Sequence, residues 1–562
     1  MIDGIIAFSI RRRGFVILAS LALAVAGVFA MRETPIDAIP DLSEDAVIVF
    51  ADWPGHGPRE VEDQVTYPLA LELQGLRGVR AVRTSSDFNF AMIHVILDES
   101  VTTREGRRLV ADRLGRASTP LPSGVVAKLG PDSPATGQIY WYTVEGKNTD
   151  LGRLRAIQDW YVKPQLASVA GVAEVASVGG YPIEYQVNVD PLRLRTRGVT
   201  LREIVEAVTR SNASVSGHVI QKANGEYLVR GEGWLGSNAN GSDVSTAIVR
   251  DLERIVLGGP GGEVLHLADV AKVAIGPGSR RGVLEKDGSE VVGGVIAMAS
   301  GENPLEVTRR IRARIHELAG GLPSGVAIVP FYDRTPLIEG AIGTVRGTVV
   351  EAIITATICV LIVLLHLRTS FVIVITLPLA VLGSFVIMAV LRRLGIVDIQ
   401  TNIMSLAGIS ISIGVLVDSS VVMAENVMHR LREHFGDEPA RGDLRAIVLP
   451  ACQEVGRPIF FSVVIMILSF LPVFALGGIE GKMFRPLAFT KTFALASVSI
   501  LAITLVPALC TIFIRGRLRR EEASPLVRGV IEVYRPALAY SLRAPGVLTW
   551  VLGVTLDRKS VV

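Results

Sequence analysis

The sequence has little cysteine, little excess charge and no nucleotide or zinc motif. Only three of its 562 residues are cysteines, Cys359, Cys452 and Cys510, and the absence of a CxxC pair excludes a disulfide scaffold or a zinc ribbon. The formal net charge is only +3, without the basic excess of a nucleic-acid binder. No GxxxxGK[ST] loop, no GxGxxG turn opening a helix and no HExxH motif is present. The sequence therefore offers no recognisable enzyme chemistry.

Hydrophobic residues are abundant and segregated from the charged ones. They make up 49% of the chain, charged residues make up 20%, and the mean hydropathy is +0.44. Crossing a bilayer takes about 20 apolar residues in a helix. Six runs meet that requirement: 14–31, 347–367, 369–391, 399–417 with a continuation to about 428, 458–479 and 492–514. We predict a membrane protein with one span, a large water-exposed insert and five further spans.

Charge distribution predicts the orientation of these spans. Arg11, Arg12 and Arg13 precede the first run, which indicates a retained anchor with a cytoplasmic N-terminus; a cleaved signal peptide is the alternative. The insert then lies outside the membrane, with a short outer loop at 480–491. The segment 515–544 falls inside and carries seven arginines, in agreement with the positive-inside rule.

A seventh apolar run begins at Ala544 and stops at Leu556. Its 13 residues are too few to span a bilayer, since each adds about 1.5 Å of rise to a helix. We therefore expect a partial seventh helix in a chain that is an N-terminal fragment.

The external region shows an internal repeat. A helical pattern at 58–73 precedes a strand–turn–strand pattern at 78–97, and a second helix at 150–169 precedes a similar pattern at 171–189. The second copy repeats the step GVRAVRT as GVAEVAS. A helix followed by a hairpin, twice, predicts ferredoxin-like split βαβ units. Short strands with Gly- and Asn-rich turns between 191 and 275 indicate an inserted subdomain.

Two carboxylates lie in the fourth apolar run. Asp418 and Glu425 are seven residues apart and therefore two turns along one helical face. A charge at membrane depth costs several kcal/mol by order of magnitude, so such a residue pairs, takes up a proton or lines water. The functional hypothesis is that Asp418 binds and releases a proton. The alternatives are a structural hydrogen bond for Asp418 and a solvated helix end for Glu425.

Several segments together resemble the heavy-metal efflux branch, the CusA/CzcA type, of the resistance-nodulation-division (RND) exporters. They are GVLVDSSVVMAEN at 414–426, TPIDAIPDLS at 34–43, DWPGHGPREVEDQVTYPL at 52–69, LGPDS at 129–133, QDWYVKPQL at 158–166, YDRTPLI at 332–338, NIMSL at 402–406 and PLAFTKTFALA at 486–496. Drug exporters of the superfamily carry two adjacent aspartates in the fourth helix. Asp418-Ser419 in this chain favours the metal branch.

The resemblance implies an α+β membrane protein: a transmembrane helix bundle with a periplasmic domain of ferredoxin-like porter subdomains and a docking subdomain. The expected domains are the N-terminus with the first span (1–32), a first porter subdomain (33–132), a second porter subdomain (133–190 and 276–336), a docking subdomain (191–275), spans two to six (337–514) and a cytoplasmic basic segment with the truncated seventh helix (515–562).

The resemblance also implies activity and partners. It places a proton relay on Asp418 and Glu425, with the relay's lysine in a second half absent from this chain. It implies a homotrimeric permease of the bacterial inner membrane that exports a metal cation against protons. The partners are a periplasmic adaptor and an outer-membrane channel, no nucleic acid is involved, and no cofactor beyond the transported cation and protons is expected.

Sulfur side chains bear on the metal. Copper and silver exporters of the branch line the path with methionines, and Met404, Met423 and Cys510 occupy matching positions, as candidate ligands for soft ions. Leu416 and Leu495 depart from that pattern, and methionine or cysteine in a membrane helix is also common as packing. We favour Cu(I) or Ag(I). The alternatives are export of Zn, Co, Cd or Ni, export of organic drugs, or a non-transporting membrane protein with a sensory or translocation role.

Overall fold

The computed structural model describes the chain except residues 99, 117–120, 223–224, 238–243, 259–263, 281, 365, 398–399, 437, 517–524, 544–545 and 547–562. The predicted seventh apolar run therefore lies almost entirely outside the described residues. The chain forms two compact units. The first comprises Met1–Ile139, Met298–Arg309 and Asp333–Val562, and the second comprises Tyr140–Ala297 and Arg310–Tyr332.

Helices and strands both occur in the first 333 residues, and the elements described after them are helices. The helices are α1 Ile2–Arg11, α2 Arg13–Glu33, α3 Pro58–Val61, α4 Tyr67–Gln74, α5 Thr103–Arg116, α6 Leu151–Ile157, α7 Lys163–Ala167, α8 Pro191–Arg197, α9 Leu201–Ser211, α10 Val244–Glu253, α11 Leu267–Val270, α12 Pro304–Leu318, α13 Thr335–Leu364, α14 Leu367–Arg393, α15 Ile403–Phe435, α16 Arg445–Ser469, α17 Leu471–Phe474, α18 Gly478–Phe513 and α19 Pro525–Arg543. The strands are β1 Ala46–Asp52, β2 Val79–Asp87, β3 Phe90–Leu97, β4 Ala127–Leu129, β5 Gln138–Gly146, β6 Val172–Gly179, β7 Ile183–Val189, β8 Ser214–Lys222, β9 Gly225–Glu232, β10 Val256–Gly258, β11 Val264–His266, β12 Ala271–Pro277, β13 Leu284–Lys286, β14 Ser289–Met298 and β15 Val326–Asp333.

Six helical segments among the described residues are long and apolar enough to cross a membrane: Arg13–Glu33, Thr335–Ile362, Leu367–Arg393, Ile403–Phe435, Arg445–Phe474 and Gly478–Phe513. They coincide with the six predicted runs but extend beyond several of them. The outer loop predicted at 480–491 is wrong, because α18 is helical from Gly478 onward. Hydropathy detects only the part of a helix that suits hydrocarbon, and a helix continues through polar turns beyond it.

Small and hydroxyl-bearing residues bring α15 close to its neighbours. The hydroxyl of Thr490 on α18 donates to the carbonyl oxygen of Ser405 at 2.8 Å. The hydroxyls of Thr376 on α14 and Ser420 on α15 are 3.1 Å apart. These buried contacts agree with the use of small and polar residues where membrane helices pack, and they fix α15 between α14 and α18.

Strands β1 to β4 of the first unit form a four-stranded antiparallel sheet in the order β2-β3-β1-β4. Its buried face, with Val49 and Ile93, packs on the helical segment 58–74, from which Val61 and Leu69 are buried. The chain order strand, helix, two strands, helix, strand is the split βαβ arrangement. A π-helical turn at Glu62–Thr66 interrupts the first helical segment.

The second unit repeats the split βαβ arrangement, in the strand order β6-β14-β5-β15, but its two middle strands do not form a hairpin. A π-helical turn at Gln158–Val162 again separates two short helices, α6 and α7. The predicted second hairpin is wrong: β6 joins β14 in the five-stranded sheet β13-β14-β5-β15, whereas β7 pairs with β12. Gly179 and Gly180, with φ of 75° and 61°, turn the chain out of the five-stranded sheet at the end of β6. Only glycine adopts this left-handed conformation readily, twice in succession.

The region predicted as an inserted subdomain contains a small core and an exposed hairpin. Ile204, Leu252, Leu257 and Leu267 are among its buried apolar residues. Every residue of β8 is exposed, as is nearly every residue of β9. The domain boundaries given above stay a prediction.

Candidate functional site

Helix α15 carries both predicted relay carboxylates. It begins with a capping box, in which Asn402 Oδ1 accepts from the backbone N–H of Ser405 at 2.9 Å and Ser405 Oγ accepts from the backbone N–H of Asn402 at 2.8 Å. Such a cap satisfies backbone donors that the first helical turn leaves unpaired. The helix then runs 33 residues to Phe435 and ends at Gly436.

Asp418 lies on an exposed stripe of α15. The exposed positions Ile411, Gly414, Asp418 and Val422 follow one another at helical spacing, whereas Ser419, Ser420 and Met423 are buried among neighbouring helices. Glu425, one step further along the stripe, is half-buried. Within the part of the chain that the structure describes, no cation lies within ion-pair distance of Asp418. The two carboxylates therefore share a face, as predicted, and their role as a proton relay stays a prediction.

Polar contacts just beyond Glu425 hold α15 against α16. Asn426 Nδ2 donates to the carbonyl oxygen of Ala451 at 2.8 Å. The guanidinium of Arg430 pairs with the Glu454 carboxylate at 2.9 Å and with Glu433 at 3.0 Å. These contacts fix the part of α15 that directly follows Glu425 against α16.

The predicted sulfur ligands fall into two groups. Met423 and Cys510 are fully buried in one hydrophobic cluster, which also contains Cys452 on α16. Met404 is half-buried near the start of α15, and its 19-residue separation from Met423 corresponds to about 28 Å along the helix. A single ion therefore cannot bind Met404 and Met423 together. The sequence interpretation did not include Cys452, because no spacing relates it to Cys510.

Aliphatic side chains make up most of the rest of that sulfur-containing cluster. Leu416 and Leu495 are both buried in it, so the positions that depart from the copper and silver pattern contribute packing. Among the described residues, no three His, Cys, Asp or Glu side chains converge as a metal site.

A buried ion pair in the first unit was missed at the sequence level. Arg334 Nη2 donates to Asp37 Oδ1 at 2.9 Å, and the two side chains are only 6% and 9% exposed. The same oxygen accepts the backbone N–H of Ala38 at 2.6 Å. Burial raises the pKa of Asp37, and the neighbouring guanidinium only partly offsets that effect. Both residues stand in the motifs TPIDAIPDLS and YDRTPLI, but nothing in the sequence pairs positions almost 300 residues apart.

The chain matches the model of the AcrB/AcrD/AcrF family over residues 5–561. It is 40% identical to the cation efflux system protein CusA of Escherichia coli K12, over 97% of this chain and 51% of that protein. It is 38% identical to the putative cation efflux system protein SilA of Salmonella typhimurium, over the same shares of the two chains. The cobalt-zinc-cadmium resistance protein CzcA of Cupriavidus metallidurans is 34% identical, over 99% of this chain and 52% of that protein.

Solved structures agree with these sequence matches. A crystal structure of a heavy metal efflux pump matches 98% of this chain and 52% of the pump, with a TM-score of 0.79 and 28% identity. The chain spans about half the length of the curated relatives it matches. The predicted family resemblance is confirmed: the chain belongs to the AcrB/AcrD/AcrF family of RND transporters, and its relatives are named for cation efflux and for cobalt-zinc-cadmium resistance.

Proposed function

We propose that this chain forms part of a transporter that exports a heavy-metal cation in exchange for protons, with Cu(I) or Ag(I) as its substrate. The observation that carries the proton half of this proposal is the position of Asp418. It is an exposed carboxylate on a helix long and apolar enough to cross a membrane. A carboxylate at such depth is costly when charged, so a change in its surroundings shifts its protonation.

The exposed stripe of α15 supports a contact of Asp418 with another part of the transporter that changes when Asp418 is protonated. The carboxylate of Asp418, exposed on this face, needs a polar partner in the membrane. We propose that this partner lies in the part of the transporter that corresponds to the other half of the relatives' length. Protonation of Asp418 would weaken its attraction to a cationic partner and so change the packing of the two parts.

The buried sulfur atoms support a soft monovalent substrate. Thioether and thiol ligands select Cu(I) over divalent ions that prefer nitrogen and oxygen. Met423 and Cys510 lie in one cluster, and the relatives CusA and SilA are named for cation efflux. The second candidate is export of cobalt, zinc or cadmium, as in the name of the relative CzcA, and the buried Leu416 and Leu495 favour it.

We further propose that the transporter resides in a bacterial inner membrane with the strand-rich part of the chain in the periplasm. It would act as a homotrimer with a periplasmic adaptor and an outer-membrane channel. The family match and the six membrane-length helices among the described residues support this arrangement. No resident cofactor is required by the proposal.

The deciding experiment replaces Asp418 with Asn in the full-length transporter subunit. Asp418→Asn should abolish metal-driven proton flux in proteoliposomes and metal resistance in an exporter-deleted host. The matched control is Glu351→Gln, since Glu351 is an exposed acid on another membrane-length helix, α13. Retained flux in Asp418→Asn, or equal loss in both variants, would contradict the proton role of Asp418. Growth on Cu, Ag, Zn, Co and Cd separates the two substrate candidates.

A further inference from the structure

The ion pair between Asp37 and Arg334 sits where several segments of the first unit meet. On the Asp37 side, three backbone hydrogen bonds tie residues 35–38 to the start of α15. Asp37 N–H donates to Thr401 O at 3.0 Å, Thr401 N–H donates to Pro35 O at 2.8 Å, and Ile403 N–H donates to Ala38 O at 3.2 Å. Thr401 directly precedes the capping residue Asn402. The hydrogen bonds of residues 35–38 thus fix the N-terminal end of α15, the helix that carries Asp418.

On the other side, Arg334 links α13 to the lead-in of β5. Arg334 is the residue between β15 and α13, and its backbone N–H donates to Ile139 O at 3.1 Å. Its Nη1 donates to the carbonyl oxygen of Thr136. Next to Thr136, the carbonyl of Gly137 accepts the N–H of Met298 at 2.7 Å. A single guanidinium therefore contacts both Asp37 and the segment 136–139.

These contacts adjoin the places where the chain passes between the two units. The chain leaves or enters the first unit at four places: after Ile139, before Met298, after Arg309 and before Asp333. Three of them lie at these contacts, since Ile139 accepts from the Arg334 backbone, Met298 donates to Gly137, and Asp333 directly precedes Arg334. A displacement of the Asp37–Arg334 pair would therefore act directly on strands β5, β14 and β15.

The chemistry of the pair suits a positioning role better than a stabilising one. Burying two charges is expensive, and replacing such a pair with apolar side chains is often neutral or stabilising, so a buried pair is weak support for stability. In some proteins a buried polar or ionic group instead selects one arrangement of its neighbours over others. Because both partners are almost fully buried, the pair holds one definite geometry between α15 and the segment 136–139.

We propose that Asp37 and Arg334 are positioning residues that couple the protonation of Asp418 to the segments entering the second unit. This inference rests on the proposed proton role of Asp418. A shift of α15 on protonation would move Thr401, Thr401 would move residues 35–38, and the ion pair would carry the shift to Thr136 and Ile139. Neither residue touches the proton or the metal.

The test is a coupling measurement by hydrogen–deuterium exchange on the full-length subunit in lipid nanodiscs. Asp418→Asn, which mimics the protonated form, should change exchange at residues 134–139 by about threefold or more. In the background Asp37→Leu/Arg334→Met, which leaves no buried charge unpaired, this response should fall below about 1.5-fold, while the response at the start of α15 remains. The matched control is Asp41→Asn, an exposed acid four residues from Asp37, which should preserve the full response.

Two results would overturn the coupling role. One is an equal response at 134–139 with and without the ion pair, and the other is no response to Asp418→Asn in the parent protein. If the double variant loses protection throughout, Arg334→Lys replaces it under the same criterion, since it keeps the charge but loses the second donor to Thr136. Metal and proton flux are measured in parallel, so failure of the proposed transport function is seen separately from failure of the coupling.

Discussion

Gly408 on α15 packs against Thr490 on α18 so closely that a Cβ at position 408 would lie 2.4 Å from Thr490 Oγ1. It would also lie 2.5 Å from the carbonyl oxygen of Leu487. The backbone atom cannot move away as a flexible side chain could. The approach of these two helices therefore depends on the absence of a side chain at one position, beside the hydrogen bond from Thr490 to Ser405.

The first prediction tests this contact through Gly408→Ala. The added methyl group should destabilise the helix pair by about 1–3 kcal/mol, as overpacking does elsewhere. The matched control is Gly414→Ala on the same helix, where a Cβ would meet nothing within 4 Å among the described residues. Thermal unfolding of the detergent-purified chain should show a lower midpoint for Gly408→Ala only. A midpoint equal to that of the parent would mean that α18 shifts without cost.

The second prediction concerns the buried sulfur atoms. Met423→Leu conserves volume and should cost less than about 1.5 kcal/mol in stability, but it removes a soft ligand. We expect resistance to Ag to fall about tenfold, a loss of roughly 1.4 kcal/mol in binding, while resistance to Zn is unchanged. The matched control is Met428→Leu, since Met428 is buried in the same cluster and accepts a hydrogen bond from Thr369 at 3.1 Å. Equal loss in the two variants would assign Met423 to packing.

The third prediction concerns pH and the pair of Glu145 on β5 with Lys286 on β13, whose charged atoms are 2.6 Å apart. The hydrogen bond from Lys286 holds the pKa of Glu145 below its usual value. A carboxyl group whose pKa is lower in the folded than in the unfolded protein stabilises the fold at pH values above its unfolded-state pKa. That stabilisation is lost as the pH falls through the folded-state pKa.

Glu145→Gln should therefore speed amide exchange in β13 at pH 6 and have little effect near pH 3. The pair is partly exposed, so the expected effect is below about 1 kcal/mol, or a few-fold in exchange rate. The measurement is the ratio of variant to parent exchange at each pH, with Arg280→Gln as the matched control, because Arg280 forms an exposed ion pair with Glu290 on the neighbouring strand β14. An equal ratio at both pH values would contradict a lowered pKa for Glu145.

The membrane helices could be predicted because their physical requirement is local. A run of about 20 apolar residues shows itself in the sequence without knowledge of its neighbours. The same reasoning placed Asp418 and Glu425 on one face, because helical spacing alone decides it. It could not show that α18 begins at Gly478 and runs through Pro486. Hydropathy does not identify a helix in that more polar N-terminal stretch.

The errors arose where partners are distant in sequence. Strands β6 and β7 look like a hairpin because they follow each other, but pairing depends on β14 and β12, about a hundred residues away. The ion pair of Asp37 with Arg334 is the same case for side chains. The same holds for the glycines of α15. Gly408 lies against α18 with no room for a Cβ, whereas a Cβ at Gly414 would meet no atom within 4 Å among the described residues. Only the position of the neighbouring helix distinguishes the two glycines.

The exposed hairpin β8–β9 has a consequence for work with the purified protein. A two-stranded ribbon whose residues are nearly all exposed to water buries little apolar surface and is marginally stable by itself. A protease added in trace amounts should therefore cut the chain first within β8 or β9. Because the cut segment contributes nothing to the buried clusters, the two fragments should remain together on a sizing column.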